Sequence, residues 1–330
     1  MRKHRLDVVV TRGGLIESRH RVHAAIVGPH DEMIGVAGDP QVVAFWRSGS
    51  KPFQVLPFVA DGGLDDLGWG DDELALACAS HGGEPEHVAL AEAMLQDIGL
   101  EEGDLACGAH EPLSMRGVRL ARETGTRISR LHNNCSGKHA AMLARAHAAG
   151  WPTGGYERPS HRVQESAIEA VSIWTKVPTT AMTVAIDGCG VPVVALPLAA
   201  MAAAYARLGA AAARGEEVPG RVVHAMRARP FLMGGTERFD SAIIEDTGGR
   251  VVAKIGAEGI HAVAVPEMGI GIAIKVEDGA QRAQYPAVVH LLRELGALDD
   301  SLTPRLAEYL VKPIRNTRNE VVGEIRTAAH

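Results

Sequence analysis

The segment Ser48-Gly49-Ser50-Lys51 places a serine and a lysine three residues apart. A serine hydroxyl is a poor nucleophile until a base removes its proton, and a lysine amine can do so when burial or a neighbouring cation lowers its pKa. Residues three apart on one helical turn share a face, so we expect Ser48 and Lys51 to touch. Because Pro52 biases Lys51 away from the helical region, a helix is expected only from Pro52, with the contact formed across a turn. The alternative is a helix cap and a solvated lysine.

A second hydroxyl lies in SHGGE, residues 80–84, between two segments with helical patterning. Loops of this type hold functional side chains and expose backbone N–H groups that can bind an oxyanion. Ser80 is therefore a candidate for a second hydroxyl near the site. The alternative is a turn that only ends a helix.

The densest polar run is HNNCSGKH, residues 132–139, just before an Ala-rich helical segment. It is not a phosphate-binding loop, because the first Gly and the final Ser or Thr of G-x-x-x-x-G-K-[ST] are absent. Cys135 and Cys189 each lie in a Gly-containing turn, where a thiolate can face a metal. Zinc chemistry alone nominates Cys135, His139 and Cys189, since lysine is not a usual ligand. The alternative is that both cysteines are buried small apolar residues.

Lys254-Ile255-Gly256 lies on a predicted strand. Its order is similar to the K-T-G element of serine β-lactamases, with Ile in place of the hydroxyl residue, and S-x-x-K belongs to the same set. A glycine there lets a substrate approach the strand backbone. The alternative for Lys254 is an ordinary charge on an edge strand.

Composition restricts the class of protein. The chain has 330 residues and a formal charge of −6, with 46% hydrophobic and 22% charged residues, which is typical of a globular protein and excludes disorder as its main state. The acidic balance argues against a nucleic-acid surface. The chain has four cysteines and no CxxC pair, which predicts reduced thiols. It has no apolar run of about 20 residues and no apolar segment of secretory type. We therefore expect a soluble, cytoplasmic protein with no membrane partner.

Strand patterns occupy both ends of the chain and helical patterns the middle. This order predicts an α+β fold, with one antiparallel sheet built from both chain ends, flanking helices and an inserted, mostly helical region. We expect residues 1–330 to form a single compact catalytic unit, with a sheet part at about 1–50 and 236–330 and a helical insert at about 51–235. A helix capped by Ser160 and another beginning at Pro286 are among the predicted elements.

Five segments taken together resemble the third class of L-asparaginases, the rhizobial-type or asparaginase II-like family. They are WRSGSKPFQ (46–54), SHGGE (80–84), HNNCSGKHAAML (132–143), IDGCGVP (186–192) and KIGAEG (254–259). The resemblance spans nearly the whole chain, and five motifs in this order are more specific than any one of them. It implies a fold similar to serine β-lactamases, penicillin-binding proteins and glutaminases, a homodimer, and hydrolysis of L-asparagine to L-aspartate and ammonia.

The resemblance also implies catalytic roles for individual residues. Ser48 would be the nucleophile, paired with Lys51, and Ser80 would pair with a distant lysine, which we assign to Lys254 on the KxGAEG match. Ser48 would attack the side-chain amide, ammonia would leave, and water would hydrolyse the resulting ester. The expected substrate-lining residues, named only for their place in the motifs, are Arg47, His81, Asn134 and Glu258.

The same resemblance implies one zinc ion per chain, held by Cys135, Lys138 and Cys189 and supported by Asp187 behind the ligands. As a ligand Lys138 must be neutral, which requires a strongly lowered pKa. Whether His139 replaces or supports Lys138 stays open.

Three alternatives remain. One is a cysteine amidohydrolase in which His139 is the base for Cys135. Another is a glutaminase or β-lactam hydrolase of the same fold. The third is a non-catalytic protein that binds zinc or an amino acid.

Overall fold

The computed structural model describes residues 1–328 and divides the chain into two compact units. The first, which we call the sheet unit, comprises Met1–Gly49, Leu196–Ala213 and the described residues from Ala242 onward. The second, the helical unit, comprises Ser50–Ala195 and Arg214–Ser241. Among the described residues, no helix has the length and apolar character needed to cross a membrane.

The strands of the sheet unit come from both ends of the chain, as the sequence predicts. They are β1 (Arg2–Lys3), β2 (Val8–Arg12), β3 (Leu15–His20), β4 (Val22–Val27), β5 (Met33–Ala37), β6 (Val43–Phe45), β9 (Val252–Ile255), β10 (Ile260–Val265), β11 (Ile270–Val276), β12 (Lys312–Arg315) and β13 (Val321–Thr327). The helical unit adds the antiparallel pair of β7 (Thr183–Ile186) and β8, which spans Pro192–Pro197.

Six strands form the main sheet of the sheet unit, in the order β1-β5-β4-β11-β10-β9. Its central strand β11 alternates Ile with Gly or Ala over 270–274, and every one of these residues is buried. Small residues on a buried strand allow a helix to lie close, and α8 (Leu198–Ala213) packs there. The α+β prediction is thus confirmed.

The sheet unit contains a second, four-stranded sheet, whereas the sequence predicted one sheet from both ends. Its strand order is β12-β13-β2-β3, and β2 pairs with β13, so the two chain ends meet here as well. The sequence analysis missed β3, LIESRH, because most of its residues are exposed and carry no apolar alternation. A further difference is that β1 pairs with β5 in parallel.

Helices make up most of the helical unit. The sheet unit has helices of its own, which lie beside its strands. The helices of the two units, apart from α8, are α1 (Lys51–Ala60), α2 (Gly63–Asp66), α3 (Asp71–Cys78), α4 (Pro85–Gln96), α5 (Met115–Thr124), α6 (Ser136–Ala148), α7 (Arg162–Thr175), α9 (Glu217–Ala228), α10 (Pro230–Gly234), α11 (Phe239–Asp246), α12 (Gln281–Glu294) and α13 (Pro304–Leu310). The buried face of α6 includes the apolar residues of AAML, 140–143.

Three helix starts differ from the predictions. The cap of α7 is His161, whose ring accepts a hydrogen bond from the Val163 N–H, and not Ser160. Helix α12 begins at Gln281, so Pro286 lies inside it. Helix α1 begins at Lys51, directly after a 3₁₀ turn over Arg47–Ser50, and not at Pro52. A proline near a helix start needs no N–H donor, so it tolerates an earlier beginning than its own position suggests.

We expect Gly271→Ala to destabilise the protein by more than about 3 kcal/mol, because the added carbon has no room. A Cβ there would come 2.1 Å from the Ala202 carbonyl oxygen and 2.2 Å from the Ala206 nitrogen, both backbone atoms of α8. The measurement is the free energy of unfolding from urea titration.

The matched control is Gly220→Ala in α9, where a Cβ meets nothing within 4 Å. This change should stabilise the helix by roughly 0.5 to 1 kcal/mol, because alanine loses less backbone entropy than glycine. A Gly271→Ala variant as stable as Gly220→Ala would contradict the packing of α8 on β11.

Candidate active site

The Ser48 segment of the sheet unit is held by the aromatic residues around it. The Tyr205 hydroxyl donates to the Gly49 carbonyl at 2.7 Å, and the Gly49 N–H donates to the Trp46 carbonyl at 3.1 Å. The rings of Trp46 and Tyr205 meet edge to face at 6.0 Å. Ser48 is only partly buried on this 3₁₀ turn, so a fixed backbone presents a hydroxyl that water or a substrate can reach.

Lys254 lies on β9, whose end packs against the Ser48 segment within the same unit. A Cβ at Gly256 would come 3.0 Å from the Trp46 carbonyl oxygen, so only glycine permits this approach. Lys254 is fully buried, and its amine donates to the Ile255 carbonyl at 2.9 Å. Within the sheet unit, the tertiary structure therefore brings the Ser48 segment and the KIG motif together.

Arg47 and Glu258 share an unusual backbone conformation. Their φ angles are +53° and +56°, in the left-handed region that non-glycine residues rarely adopt. Such strain costs roughly 1 to 3 kcal/mol per residue and concentrates at functional sites. Arg47 directly precedes Ser48, and Glu258 follows the KIG motif of β9 by two residues.

The Lys51 amine is the centre of a buried hydrogen-bond cluster in the helical unit. Lys51 is 2% exposed, and Nζ donates to the Ser80 hydroxyl at 3.2 Å and to the Asn134 carbonyl at 3.3 Å. It also donates to the Ala79 carbonyl. These three acceptors are uncharged oxygens, and no carboxylate among the described residues forms an ion pair with this amine. The amine also hydrogen-bonds to Cys135 and helps to lower the pKa of that thiol.

Lys51 and Ser80 thus form a lysine–serine hydrogen bond, which the sequence analysis did not predict. No spacing signal connects these residues, since 29 positions separate them. The pairing of Ser48 with Lys51 stays a prediction, as does that of Ser80 with Lys254.

The SHGGE loop is packed tightly within the helical unit. The Ser80 N–H donates to the Met233 carbonyl at 3.3 Å. A Cβ at Gly82 would come 2.8 Å from that of Ser114, and one at Gly83 would come 2.8 Å from the His132 carbonyl oxygen. The two glycines therefore let the loop lie where it fixes Ser80.

The His81 ring connects the SHGGE loop to the polar run at 132–139. It is completely buried, with Nε2 at 2.9 Å from the Ser136 hydroxyl and Nδ1 accepting from the Gly83 N–H at 3.2 Å. The Ser136 hydroxyl donates to the Leu131 carbonyl at 2.9 Å, so these partners assign the Nε2–H tautomer to His81. Burial lowers its pKa well below the ordinary value, and the cationic surroundings, His87 and Lys51 first, add to this.

A buried carboxylate ends the same loop. Glu84 accepts hydrogen bonds from the Thr236 N–H at 2.6 Å and the Thr236 hydroxyl at 2.9 Å, and it pairs with Arg116. Burial alone would raise the pKa of Glu84, but the Arg116 and Thr236 donors outweigh it and the pKa is lowered. These donors thus stabilise the charged form of the Glu84 carboxylate. The sequence analysis did not assign a role to this residue.

Asn134 contributes its backbone to the cluster. Its carbonyl accepts from Lys51, and its N–H donates to Nε2 of His110 at 3.0 Å. The His110 Nδ1 lies 2.6 Å from the Glu111 carbonyl, to which it donates. His110 is therefore a site neighbour that no sequence motif indicated.

Two cysteines and a lysine meet in the interior of the helical unit. The Lys138 amine lies 3.0 Å from the Cys189 sulfur. The Cys189 thiol donates to Cys135, and this hydrogen bond lowers the pKa of Cys135 well below its ordinary value and raises that of Cys189. Of these three groups, the two sulfurs are ligands of the kind that zinc prefers, whereas a lysine amine is not a usual ligand.

Lys138 carries a charge in this arrangement, whereas a ligand amine must be neutral. Burial favours the neutral amine, but the sulfurs of Cys189 and Cys135 outweigh it and raise the pKa of Lys138 above its ordinary value. The carboxylate of Asp187 acts in the same direction. The lowered pKa required of a ligand is thus not a property of the metal-free protein, and a metal ion would have to displace the proton.

His139 makes contacts other than those of the cysteine pair. Its Nδ1 lies 2.6 Å from the Tyr156 hydroxyl, which accepts from the Ala106 N–H at 2.9 Å. Burial, followed by the charges of Lys138 and Lys51, lowers the pKa of His139 well below its ordinary value. Over residues 1–328, no group of three or more His, Cys, Asp or Glu side chains is placed to hold a metal, so the set of Cys135, His139 and Cys189 is not formed.

One family profile matches almost the whole chain. The profile described as L-asparaginase II matches residues 8–327. No curated protein matches the chain in sequence.

Several solved structures match the chain at low identity. Mglu in its native form is 15% identical with a TM-score of 0.47, over 85% of this chain and 66% of that one, so the chain spans just under two thirds of the length of Mglu. A β-lactamase from Mycobacterium bovis is 13% identical with a TM-score of 0.37, over 84% and 96%. A Bacillus glutaminase is 16% identical with a TM-score of 0.34, over 84% and 91%.

We expect the free energy of unfolding to fall as the pH is lowered from about 7 to about 5. His81 and His139 stay neutral in the folded protein because their pKa values lie well below 6.5, while in the unfolded chain they titrate near 6.5. Below that pH the unfolded state binds more protons, so each histidine removes up to about 1.4 kcal/mol per pH unit. Urea titrations across this range measure the slope.

His139→Asn should reduce the slope by the contribution of about one proton. An unchanged slope in both His139→Asn and His81→Asn would show that these rings are not buried in the neutral form.

Proposed function

The chain belongs to the L-asparaginase II family of amidohydrolases, and we propose that it hydrolyses L-asparagine to L-aspartate and ammonia by serine–lysine acyl transfer. The observation that carries this proposal is the buried Lys51 amine, which hydrogen-bonds to the Ser80 hydroxyl, two carbonyl oxygens and Cys135 and pairs with no carboxylate among the described residues. An amine with no carboxylate partner is suited to exchange protons with a hydroxyl, which is the chemistry that amide cleavage requires.

In the first step, the Ser48 oxygen bonds to the side-chain amide carbon of asparagine while the Lys51 amine takes the hydroxyl proton. The tetrahedral intermediate then collapses, the C–N bond breaks, and the nitrogen leaves as ammonia with that proton. In the second step, water adds to the ester, the C–O bond to Ser48 breaks and aspartate is released. Backbone N–H groups stabilise the oxyanion in both steps.

Ser80 and Lys254 move protons in this scheme. The 3.2 Å contact of Ser80 with Lys51 supports a relay from the lysine to the leaving nitrogen through the Ser80 hydroxyl. The packing of Gly256 against the Trp46 carbonyl supports a role for Lys254 beside Ser48, because it brings the end of β9 to the nucleophile segment.

The ends of the amino acid meet charged and polar groups. A guanidinium suits the α-carboxylate and a carboxylate suits the α-ammonium group, so we assign these to Arg47 and Glu258. Asn134 would add an amide from the helical unit. His81 acts by positioning, since both of its ring nitrogens bond within the protein.

We further propose that one zinc ion binds Cys135, Lys138 and Cys189, with Asp187 behind them. The two sulfurs fit zinc, the Lys138 amine lies 3.0 Å from the Cys189 sulfur, and Cys189 hydrogen-bonds to Cys135. When bound, the ion would supply a positive charge that orients the polar ends of the substrate through water. A homodimer and a cytoplasmic location are proposed from the family resemblance alone.

Ser48→Ala should lower the turnover number for asparagine at least about a thousandfold, because the nucleophile is lost. Ammonia release measures it, and circular dichroism with thermal unfolding checks that the fold is retained. Retention of most turnover would contradict the serine mechanism.

The matched control is Ser50→Ala, two positions along the same motif. Ser50 is 2% exposed, and its hydroxyl accepts from the Gln54 amide at 3.1 Å, so a structural role is expected and turnover should stay within about fivefold. Loss in Ser50→Ala with retention in Ser48→Ala would transfer the nucleophile to Ser50. Turnover of glutamine above that of asparagine would favour the glutaminase alternative.

Zinc binding should release protons, because the thiol of Cys189 and the ammonium group of Lys138 must each lose one. Titration of the metal-free protein with zinc in a weak buffer measures the release, and equilibrium dialysis gives the stoichiometry. Lys138→Met should release about one proton fewer, and Cys135→Ser should bind little zinc.

Cys78→Ala provides the control, because Cys78 is fully buried on α3 and no metal role is proposed for it. It should bind one ion and release as many protons as the wild type. Full zinc stoichiometry in the Cys135→Ser variant would contradict the proposed ligand set.

A further inference from the structure

The sheet unit contains a cavity to which neither the motifs nor the proposed reaction assign a role. Its volume is about 860 Å³, within the range of small-molecule sites. Residues from the segment before β2, from β2, β3, the start of β4, the end of β5 and β13 line it. We call it the arginine groove, after its lining residues Arg5, Arg19, Arg21 and Arg326.

Positive charge is concentrated in the arginine groove. The four arginines face a single lining carboxylate, Asp7, although the whole chain carries a formal charge of −6. Cations grouped around one cavity repel each other and raise the potential inside it, which attracts anions.

Strand register fixes two of the arginines relative to each other. Val9 of β2 pairs with Arg19 of β3 on one side and with Arg326 of β13 on the other. Directly paired residues project from the same face of a sheet, so the two arginines flank Val9 with their backbones roughly 10 Å apart. This spacing matches a molecule with more than one anionic group.

Two of the four guanidinium groups lie beside carboxylates: Arg326 bonds to Glu324 at 2.7 Å, and Arg21 lies 3.6 Å from Glu277. The other two have N–H donors to spare. The side chains of Arg5 and Arg19, both exposed, make neither a hydrogen bond nor an ion pair with any residue from 1 to 328. Each therefore has a complete fork of N–H groups that matches the oxygens of a phosphate group.

Apolar side chains complete the lining. Leu6, Val9 and Val22 are buried below the surface of the groove, and Ile16 at its edge is 45% exposed. Such a mixture suits a ligand that joins an anionic group to a carbon ring or chain, because it offers contacts to both.

We propose that the arginine groove binds a phosphorylated organic molecule of about nucleotide size, with two or more phosphoryl charges on the arginines and its carbon body on the apolar residues. This inference is independent of the proposed reaction, since no residue of the proposed active site lines the groove.

The test is isothermal titration calorimetry of the full chain with ADP, inorganic pyrophosphate and adenosine, without added metal. ADP should bind saturably and more tightly than pyrophosphate, and adenosine should show no binding. The double variant Arg5→Gln/Arg19→Gln should bind ADP at least about tenfold more weakly. Raising the salt concentration should weaken binding to the wild type.

Arg12→Gln is the matched control, because Arg12 is an exposed arginine of β2 that pairs with Glu17 at 2.7 Å and does not line the groove. It should bind ADP as the wild type does, and thermal unfolding should show that all variants are folded. Absence of saturable ADP binding, or equal binding by the double variant, would overturn the proposal. If pyrophosphate or adenosine bound as tightly as ADP, the proposal that the groove contacts both the phosphates and the carbon body of its ligand would be overturned.

Discussion

A lysine side chain removed from water must satisfy its amine within the protein, and Lys51 does so with three uncharged oxygens and the Cys135 sulfur. Two carbonyls and the Ser80 hydroxyl surround Nζ, and they come from two segments far from Lys51 in the chain. Burial of an amine without a carboxylate is costly unless such acceptors are in place. The helical unit is built so that the start of α1, the SHGGE loop and the polar run at 132–139 meet at this one atom.

Several further interactions hold these segments in position. The His81 ring links the SHGGE loop to Ser136, and the Glu84 carboxylate connects the end of that loop to Thr236 and Arg116. Each of these groups is buried and has hydrogen-bond partners, so moving the loop would leave polar atoms unsatisfied. A site built in this way is rigid before a substrate arrives, which is what acyl transfer requires of its proton-carrying groups.

The cysteine–lysine cluster satisfies its buried charges without a metal ion. Cys189 donates to Cys135, Lys138 supplies an opposing charge, and the group is electrostatically balanced in the interior. The same balance keeps Lys138 protonated, so affinity for a metal depends on removing that proton. Conversely, Arg5 and Arg19 of the arginine groove are exposed, and their side chains form no ion pair with any of residues 1–328, which makes their surroundings favourable for an anion.

The sequence by itself determined the α+β class, nearly every strand with clear apolar patterning, and the candidate residues through five ordered motifs. It could not determine β3, whose exposed residues lack alternation, or the start of α1, because a proline allows a helix to begin just before it. Only the tertiary structure decided which groups share a hydrogen bond. The contact of Lys51 with Ser80 joins residues 29 positions apart, and the direction of the Lys138 pKa follows from two sulfurs brought beside it by folding. Spacing along a chain predicts neighbours within one helix or strand, whereas contacts between elements depend on how buried surfaces pack.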